Sequence, residues 1–276
     1  MDMSKFNAVA RMATGILLAA VMIPSHAAST LDSVIQSKKL RCGVMLDSPP
    51  AGFRTPDNKP DGFDVAYCQD MAKVLGATAE IVETPSQDRI PALVSNRIDV
   101  LIASTTNTAQ RGISVAFSQP YINYVTVVLS RKGSNIQNAA GMKGHPLGGV
   151  NGTSTEQYIK RNMDEWKDPK TTYTGFASDT EAYLALQQSK VDAILVSAST
   201  ANLLVKSGKF PTFVVAGNVD LNDMDSIAVK RDDFQFLNFV KLFVWNQVAS
   251  GRYKELYNKY VAPGEPAPLN VKGVDY

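Results

Sequence analysis

The sequence predicts an α/β protein built from parallel strands and covering helices. Short apolar runs with strand character alternate with helix-like segments, which is the βαβα pattern of a parallel sheet. Gly76 follows the first helical segment, where a C-cap glycine is favoured. The segments of this first unit are a strand at 40–46, a helix at 64–75, a strand at 79–83, a helix at 88–95 and a strand at 100–103.

The alternation returns later in the chain and predicts a second α/β unit. Between the first strand and helix, the loop at residues 49–62 holds four prolines, and it leads the chain over the sheet edge, where a ligand can bind. The later strands are predicted at 124–130, 148–150, 171–175, 191–196 and 226–230, and the later helices from 155 onward, at 180–188, at 234–249 and at 253–260.

The N-terminus has the pattern of a secretory signal peptide. Lys5 and Arg11 precede an apolar run at 16–23, and small residues follow up to Ala27. We therefore predict cleavage near Ala27 and a periplasmic location. The apolar run is too short to span a bilayer comfortably.

The composition of the predicted mature chain argues against a surface that binds nucleic acid or membranes. The whole sequence has 28 basic and 26 acidic residues. Residues 1–27 contain two of the basic and one of the acidic residues, so the remainder has a net charge of +1. Such a balance gives no basic surface for phosphate groups or lipid headgroups. The remaining length of roughly 250 residues suffices for one large domain or two ordinary ones.

Two cysteines are present, Cys42 in the first strand and Cys68 in the first helix. An oxidising compartment permits a disulfide between them. Both occupy apolar positions, however, and buried cysteine commonly behaves as a small hydrophobe. The sequence therefore favours two free buried thiols over a bridge.

Four segments carry a resemblance to a known family. They are Gly-Phe-Asp-Val at 62–65, Arg-Ile-Pro-Ala-Leu at 89–93, Thr-Asn-Thr-Ala-Gln-Arg at 106–111 and Phe-Ser-Gln-Pro-Tyr at 117–121. In this order the chain resembles the family 3 solute-binding proteins of polar amino-acid ABC transporters. The resemblance covers nearly all of the predicted mature chain.

The resemblance implies a two-domain periplasmic-binding-protein fold of type II, with two crossover strands and a ligand cleft between the domains. We expect the chain crossings near 122–125 and 220–225. The predicted division is a signal peptide at 1–27, a first domain formed by 28–122 and 226–262, a second domain at 123–225, and a loosely docked or mobile tail at 263–276.

The implied function is that of a periplasmic receptor that closes around a small carboxylate-bearing solute, most simply an amino acid, and delivers it to an inner-membrane ABC permease. We expect a monomer without metal or organic cofactor. Two alternatives remain open: a cyclohexadienyl-dehydratase-like enzyme on the same fold, and a receptor that presents its ligand to a sensor or chemotaxis partner.

Arg111 is the central candidate binding residue in the first domain. Thr108 is a suitable N-cap, which places Arg111 on the first turn of a short helix, where a guanidinium can bind a carboxylate with two hydrogen bonds. In the resembled family this arginine binds the ligand α-carboxylate. Ser104 and Thr106 match positions that line the same pocket.

The second domain supplies Thr153 and Ser154. Thr153 and Glu156 have the spacing of a capping box, which leaves free amide groups at a helix N-terminus, where an anion is favoured. The resemblance implies that this turn binds the same carboxylate as Arg111.

Several positions depart from the family pattern. Ser48 and Ala51 replace aromatic residues, which argues against stacking on a flat cationic side chain. Ser197 stands where amino-acid binders place an aspartate for the α-ammonium, and a buried ammonium needs a carboxylate partner. Asp225 is the first candidate to replace this aspartate as the ammonium partner, and Asp47 and Asp88 are the next candidates.

Catalytic interpretations are disfavoured by the residue inventory. His145 is the only histidine after residue 27, so a histidine triad or multi-histidine metal site is not expected. The glycine-rich segment at 148–152 lacks the lysine of a phosphate loop. We therefore predict a binding protein and no enzyme.

Overall fold

The computed structural model describes residues 29–270. The predicted signal peptide at 1–27 lies outside the described residues, as do residues 271–276 of the predicted tail. None of the helices between residues 29 and 270 combines the length and the hydrophobicity that a membrane span requires.

The first part of the chain forms most of one half of the molecule. Its elements are α1 (Thr30–Ser37), β1 (Lys39–Val44), β2 (Asp47–Ser48), β3 (Gly52–Arg54), β4 (Pro60–Asp61), α2 (Phe63–Val74), β5 (Thr78–Glu83), α3 (Arg89–Val94), β6 (Val100–Leu101), α4 (Ala109–Gly112) and β7 (Val115–Arg131). The strands and helices predicted between residues 40 and 103 are present, with ends shifted by one or two residues.

The rest of the chain forms the other half and returns to the first. Its elements are β8 (Pro146–Val150), α5 (Ser154–Trp166), β9 (Thr172–Phe176), α6 (Asp179–Gln187), β10 (Ala193–Ser197), α7 (Ala198–Lys206), β11 (Phe213–Lys230), α8 (Phe234–Ala249) and α9 (Arg252–Tyr260).

One large curled sheet runs through the molecule in the order β5-β1-β6-β11-β7-β10-β8-β9. The strands at each end pair in parallel, as β1 does with β5 and β6, and as β8 does with β9 and β10. The parallel α/β pattern predicted for both units is confirmed. Between these two parallel groups, β7 and β11 pair with each other in antiparallel orientation.

The two long strands β7 and β11 are the crossovers, and they correct the predicted strand lengths. The sequence predicts strands only at 124–130 and 226–230, whereas the structure has strands of 17 and 18 residues. Polar residues interrupt the apolar pattern in their middle parts, and several register shifts occur between them. Ile122 lies opposite Asp225 in this pair. The domain boundaries at 122/123 and 225/226 stay a prediction.

Separate hydrophobic cores support the two halves. In the first half, α2, α8 and α9 pack on one sheet face around Tyr67, Tyr121 and Phe236, which are fully buried. In the second half, the cores lie around Leu129 and Leu186 on one face and around Val128 and Leu147 on the other.

The described part of the predicted tail docks on the first half. Leu269 packs against its core, and the side-chain amide of Asn123 donates a hydrogen bond to the carbonyl of Pro268 over 2.9 Å. Pro268 and Leu269 thus contact β7 and the first core, respectively.

Cys42 and Cys68 form a disulfide, and the prediction of two free thiols is therefore wrong. The bridge joins β1 to α2, and both cysteines are fully buried. Burial alone suits a thiol and a disulfide equally well. The strand–helix packing that brings the two Cα atoms to 6.2 Å could not be derived from the apolar pattern.

The proline-rich loop carries a small sheet, in the order β2-β3-β4, that the sequence does not predict. Gly62 ends this loop with a φ of +130°, and a Cβ at this position would lie 2.4 Å from the carbonyl oxygen of Ala51. The glycine therefore permits the close approach of the loop to the start of α2. The main-chain nitrogen of Asp64 donates to the carbonyl of Ala51 over 2.8 Å, which holds the loop on the start of α2.

Candidate functional site

A cavity of about 90 Å³ lies between the two halves. A cleft at the junction of two domains is a preferred place for a small-molecule site. Its wall in the first half includes Ser48, Ala51, Ser86, Arg89, Ser104 and Thr106. Its wall in the second half includes Thr153, Ser154, Asp179, Tyr183, Ser197 and Thr200, and the crossover strands add Tyr124, Asp223 and Asp225.

The structure brings nearly all the predicted site residues together. Those on the cavity wall are Ser48, Ser104, Thr106, Thr153, Ser154, Ser197 and Asp225. Arg111 lies beside the cavity and is not part of its wall. Of the reserve candidates, Asp47 lies behind Asp179, whereas Asp88 is an exposed partner of Arg97. The roles of these residues in binding a ligand stay predictions.

Ser104 has a left-handed backbone conformation, with a φ of 40°, that is uncommon for a residue with a side chain. The buried carboxylate of Asp64 accepts hydrogen bonds from its main-chain nitrogen over 3.1 Å and its hydroxyl over 3.3 Å. Tyr121 donates a further hydrogen bond to Asp64 over 2.7 Å. The aspartate of the Gly-Phe-Asp-Val segment thus fixes the loop that forms one cavity wall.

Asp64 should make the stability of the protein depend on pH. Burial raises its pKa to about 7, against the opposing effect of the hydrogen bonds from Tyr121 and Ser104. Because the folded pKa exceeds the unfolded value of about 3.9, its stabilising contribution is complete below pH 4 and is lost as the pH rises to 7. As the pH rises from 4 to 7, we expect the free energy of unfolding of Asp64→Asn to increase relative to that of the parent. Urea unfolding at several pH values measures this, and parallel pH profiles would contradict it.

Thr106 connects the two walls through a three-way contact. Its hydroxyl donates to Asp223 over 2.7 Å and lies 3.1 Å from the hydroxyl of Ser154, which itself donates to Asp223 over 3.2 Å. The loop is also paired with β11, since the main-chain nitrogen of Asn107 donates to Met224. The first wall, the second wall and a crossover strand therefore meet at one carboxylate.

The N-terminus of α5 faces the cavity, and the predicted capping box is partly confirmed. The hydroxyl of Thr153 accepts from the main-chain nitrogen of Glu156 over 3.1 Å, as predicted. The Glu156 carboxylate accepts from Gly152, one residue before the cap. The first-turn amides of Ser154 and Thr155 lie at the positive end of a 13-residue helix, where an anion is favoured.

Arg111 ties the two halves together. One guanidinium nitrogen donates to the carbonyl of Thr106 over 2.6 Å, and the other donates to the carbonyl of Gly152 over 2.7 Å. Thr108 caps its short helix, as predicted. Burial, with the nearby charge of Arg89 acting in the same direction, lowers the pKa of Arg111 to about 10.

Arg89 is the arginine on the cavity wall, and the sequence analysis did not select it as a binding residue. It is buried, with Nε donating to Ser86 and Nη1 donating to Ala103 and Ser104. Within residues 29–270, Nη2 has no hydrogen-bond partner. Two guanidinium groups near each other and near a helix N-terminus form a positive region suited to a carboxylate.

Asp225 is almost fully buried, and its Oδ1 atom has no hydrogen-bond partner in the described part of the chain. The hydroxyl of Tyr124, also on the wall, is likewise without a partner there. Burial raises the pKa of Asp225 well above its ordinary value, and the charges of Asp223 and Asp64 act in the same direction. A buried carboxylate without a partner is costly unless a cation or donor meets it.

The structure adds three charged wall residues to the predicted set: Arg89, Asp179 and Asp223. Asp223 had a sequence signal, because it lies two residues before Asp225 and alternate strand residues share a face. Arg89 belonged to a motif segment but lacked any mark of burial. Asp179 looks like an ordinary first-turn residue after the N-cap Ser178, so no pattern distinguished it.

The residues described do not form a metal centre, since no group of three or more potential metal ligands occurs among them. His145 is half-buried and lies 2.9 Å from Asp192, away from the cavity wall. It is thus part of a polar cluster with Asp192 and Arg131 in the second half.

The profile of the bacterial extracellular solute-binding proteins, family 3, matches residues 40–263. The chain belongs to this family. The match spans both halves and the crossover strands. It includes every predicted site residue.

Family 3 relatives of this chain are amino-acid-binding proteins of ABC importers. The L-cystine-binding protein of Escherichia coli is 29% identical over 247 residues, covering 88% of this chain and 91% of the relative. The glutamine-binding protein of an ABC transporter in Bacillus subtilis is 27% identical over 237 residues, covering 84% of each chain. An ancestral arginine-binding protein bound to arginine has 28% identity and a TM-score of 0.76, covering 81% of this chain and 98% of its own.

The Arg111 position offers a direct mutational test of this family 3 site. We expect Arg111→Met to weaken amino-acid binding by about 2–5 kcal/mol, because it removes a charged group and the hydrogen bond to Gly152 across the cleft. Isothermal titration calorimetry measures the loss. Arg97→Met, which removes an exposed arginine in the same half, is the matched control. Equal affinity of Arg111→Met and the parent would exclude Arg111 from the site.

Proposed function

We propose that this protein is the periplasmic receptor of an amino-acid ABC importer and that it closes around a free α-amino acid in the cavity. The observation that carries the proposal is the unpartnered Oδ1 atom of buried Asp225, which lies on the wall of a cavity that also presents Arg89. A zwitterion supplies the opposite charge to each. Membership of family 3 supports the same assignment.

The α-carboxylate would bind at the positive region. Arg89 offers Nη2, Arg111 lies beside it, and the first-turn amides of α5 come from the other half. Charge-assisted hydrogen bonds from guanidinium and helix amides select a carboxylate over neutral groups. This assignment keeps Arg111 as a carboxylate-binding residue and adds Arg89 to it.

The α-ammonium would bind at Asp225, with Asp223 beside it. Both carboxylates belong to β11. Together they would replace the aspartate that amino-acid binders place at the position of Ser197. Ser197 has another task, because its hydroxyl caps α7 by accepting from Thr200. An ammonium has three donors, which can meet the free oxygen of Asp225 and the hydroxyl oxygen of Tyr124.

Ligand binding would favour the closed arrangement of the two halves. Direct hydrogen bonds already join them, from Arg111 to Gly152, and from Thr200 to the carbonyl of Pro49 over 2.7 Å. A carboxylate held by both Arg89 and α5 adds contacts that exist only when the halves are together. We propose that an inner-membrane ABC permease recognises this closed form and that the predicted signal peptide directs export to the periplasm.

A thermal-shift screen of the mature protein tests the proposal. The panel holds the common α-amino acids, their deaminated analogues and simple carboxylates. A ligand at a hundredfold excess over its dissociation constant stabilises a protein by about 2.7 kcal/mol, so a specific ligand is easily detected. We expect stabilisation by one or a few free amino acids. Stabilisation only by compounds without an α-ammonium would contradict the proposed role of Asp225.

We further propose that the cavity binds its ligand without transforming it. The relatives are binding proteins, and the acidic residues on the wall have hydrogen-bonding and charge roles in the proposed complex. Prolonged incubation with prephenate and with arogenate should give no product. Product formation above the rate without protein would support the dehydratase alternative instead.

A further inference from the structure

With its carboxyl groups ionised, the cavity would contain more negative charge than a simple zwitterion can neutralise. Asp179, Asp223 and Asp225 lie on its wall, with Asp47 directly behind Asp179, and Arg89 and Arg111 are the neighbouring cations. Within residues 29–270, none of these four carboxylates has a lysine or arginine within salt-bridge distance. An ordinary amino acid brings one positive and one negative charge, so it leaves this excess unchanged.

The excess charge is located at Asp179 and Asp47, where α6 of the second half meets β2 of the first. The main-chain nitrogen of Asp179 donates to the Asp47 carboxylate over 3.2 Å, which directs the Asp47 side chain toward α6. The charged neighbours of Asp179 are Asp47 and Arg89, whereas those of Asp225 are Asp223, Asp64, Arg89 and Arg111. The two acidic groups therefore have different surroundings and share only Arg89.

Within residues 29–270, the Asp179 carboxylate has no cation within salt-bridge distance, and Arg89 is only a charged neighbour. Burial raises its pKa to about 7, the charge of Asp47 acts in the same direction, and the hydroxyl of Ser48 and the charge of Arg89 only partly oppose this. A cationic group placed beside Asp179 would favour its charged form. The same cation would also reduce the repulsion between the two carboxylates.

We propose that the preferred ligands are α-amino acids with a second, side-chain ammonium, and that Asp179 is the residue that selects them. This inference rests on the proposed amino-acid receptor function. The ammonium has three donors and can be met by the Asp179 carboxylate and the Ser48 hydroxyl. A planar guanidinium is less suited to this position, because Ser48 and Ala51 provide no aromatic face for stacking.

Matched ligand pairs test the inference, because each pair differs only in the terminal group. The pairs are 2,4-diaminobutyrate with norvaline, and ornithine with norleucine, in which an ammonium replaces a methyl group of similar size. For at least one pair, calorimetry of the parent should show the diamino acid binding at least about tenfold tighter, as expected for a desolvated charge pair.

The variant Asp179→Asn should remove this preference without loss of the fold. The hydrogen bond to Asp47 comes from the main chain of residue 179 and survives the substitution. Retained binding of the neutral partner of each pair reports a folded site. Glu181→Gln removes a charge from the same helical turn at an exposed position outside the cavity, so it should keep the preference for the diamino acid.

Two outcomes would overturn the inference alone. The first is equal affinity within every pair in the parent, and the second is an unchanged preference in Asp179→Asn. Failure of the parent to bind any amino acid in the panel would reject the proposed receptor function and this inference with it. Binding of norvaline or norleucine to the parent separates the first two results, which overturn the inference alone, from the third, which also rejects the receptor function.

Discussion

Replacement of Asp225 by asparagine should weaken the binding of a free amino acid by about 2–5 kcal/mol, a loss of about 30-fold to several thousandfold. The buried Oδ1 atom has no partner within the described chain, so the ligand ammonium is its expected partner. Asparagine keeps the size of the side chain and removes its charge. Calorimetric titration of parent and variant measures the difference.

The control for this variant is Asp220→Asn on the same strand, at an exposed position outside the cavity wall. It should bind as the parent does. The deaminated analogue of the ligand should lose no affinity for Asp225→Asn, because it has no ammonium to lose. An equal loss for the amino acid and its deaminated analogue would show a general distortion of the cavity and contradict the assignment.

Proton release provides a second sign of this ammonium site. Burial and the charges of Asp223 and Asp64 raise the pKa of Asp225, whereas Arg89 and Arg111 oppose this. A bound ammonium lowers the pKa again, so binding should release a proton, and affinity should rise with pH while the free carboxyl remains protonated. Titrations in buffers with different ionisation enthalpies measure the release, which Asp225→Asn should reduce.

Removal of the disulfide, as Cys42→Ala with Cys68→Ala, should lower the free energy of unfolding by about 3.5 kcal/mol. The bridge closes a loop with a sequence separation of 26, and the chain-entropy treatment gives this value for such a loop. Urea unfolding of the parent and the double variant measures the change. The parent unfolded under reducing conditions should resemble the variant.

The same double variant should still bind its ligand when folded, because neither cysteine lies on the cavity wall. An unchanged free energy of unfolding would contradict the stabilising role of the bridge. A loss of affinity in the folded variant would show that the β1–α2 connection also shapes the binding site.

Much of the fold was predictable because its local patterns agree with its tertiary contacts. The helix at 234–249 has its predicted bounds, and the parallel strands of both halves follow short apolar runs. The crossover strands were predicted too short, since polar residues interrupt their apolar pattern, among them Asp223 and Asp225 on the cavity wall. The lengths of β7 and β11 are determined by their pairing with each other and with distant strands. The apolar periodicity within either segment does not indicate this pairing.

The sequence predicted the position of the candidate site, but it did not reveal all of the charged residues on the cavity wall. The resemblance selected Ser104, Thr106, Thr153 and Ser154, all of which lie on the cavity wall. It could not indicate that Arg111 donates to two main-chain carbonyls, or that Arg89 is the arginine on the wall. Both facts depend on backbone geometry across the cleft. Asp179 enters the cavity only because α6 meets β2, a contact without a sequence pattern.

The measurement that tests the central claim most directly is calorimetric titration of ligand-free protein with the amino acid that gives the largest thermal shift. Its deaminated acid and its methyl ester are titrated beside it. The proposal predicts tight binding of the amino acid and a loss of at least about 2 kcal/mol for each analogue, since each lacks one partner of a buried charge pair. Binding of either analogue with the affinity of the amino acid would contradict recognition of a zwitterion by Asp225 and the paired arginines.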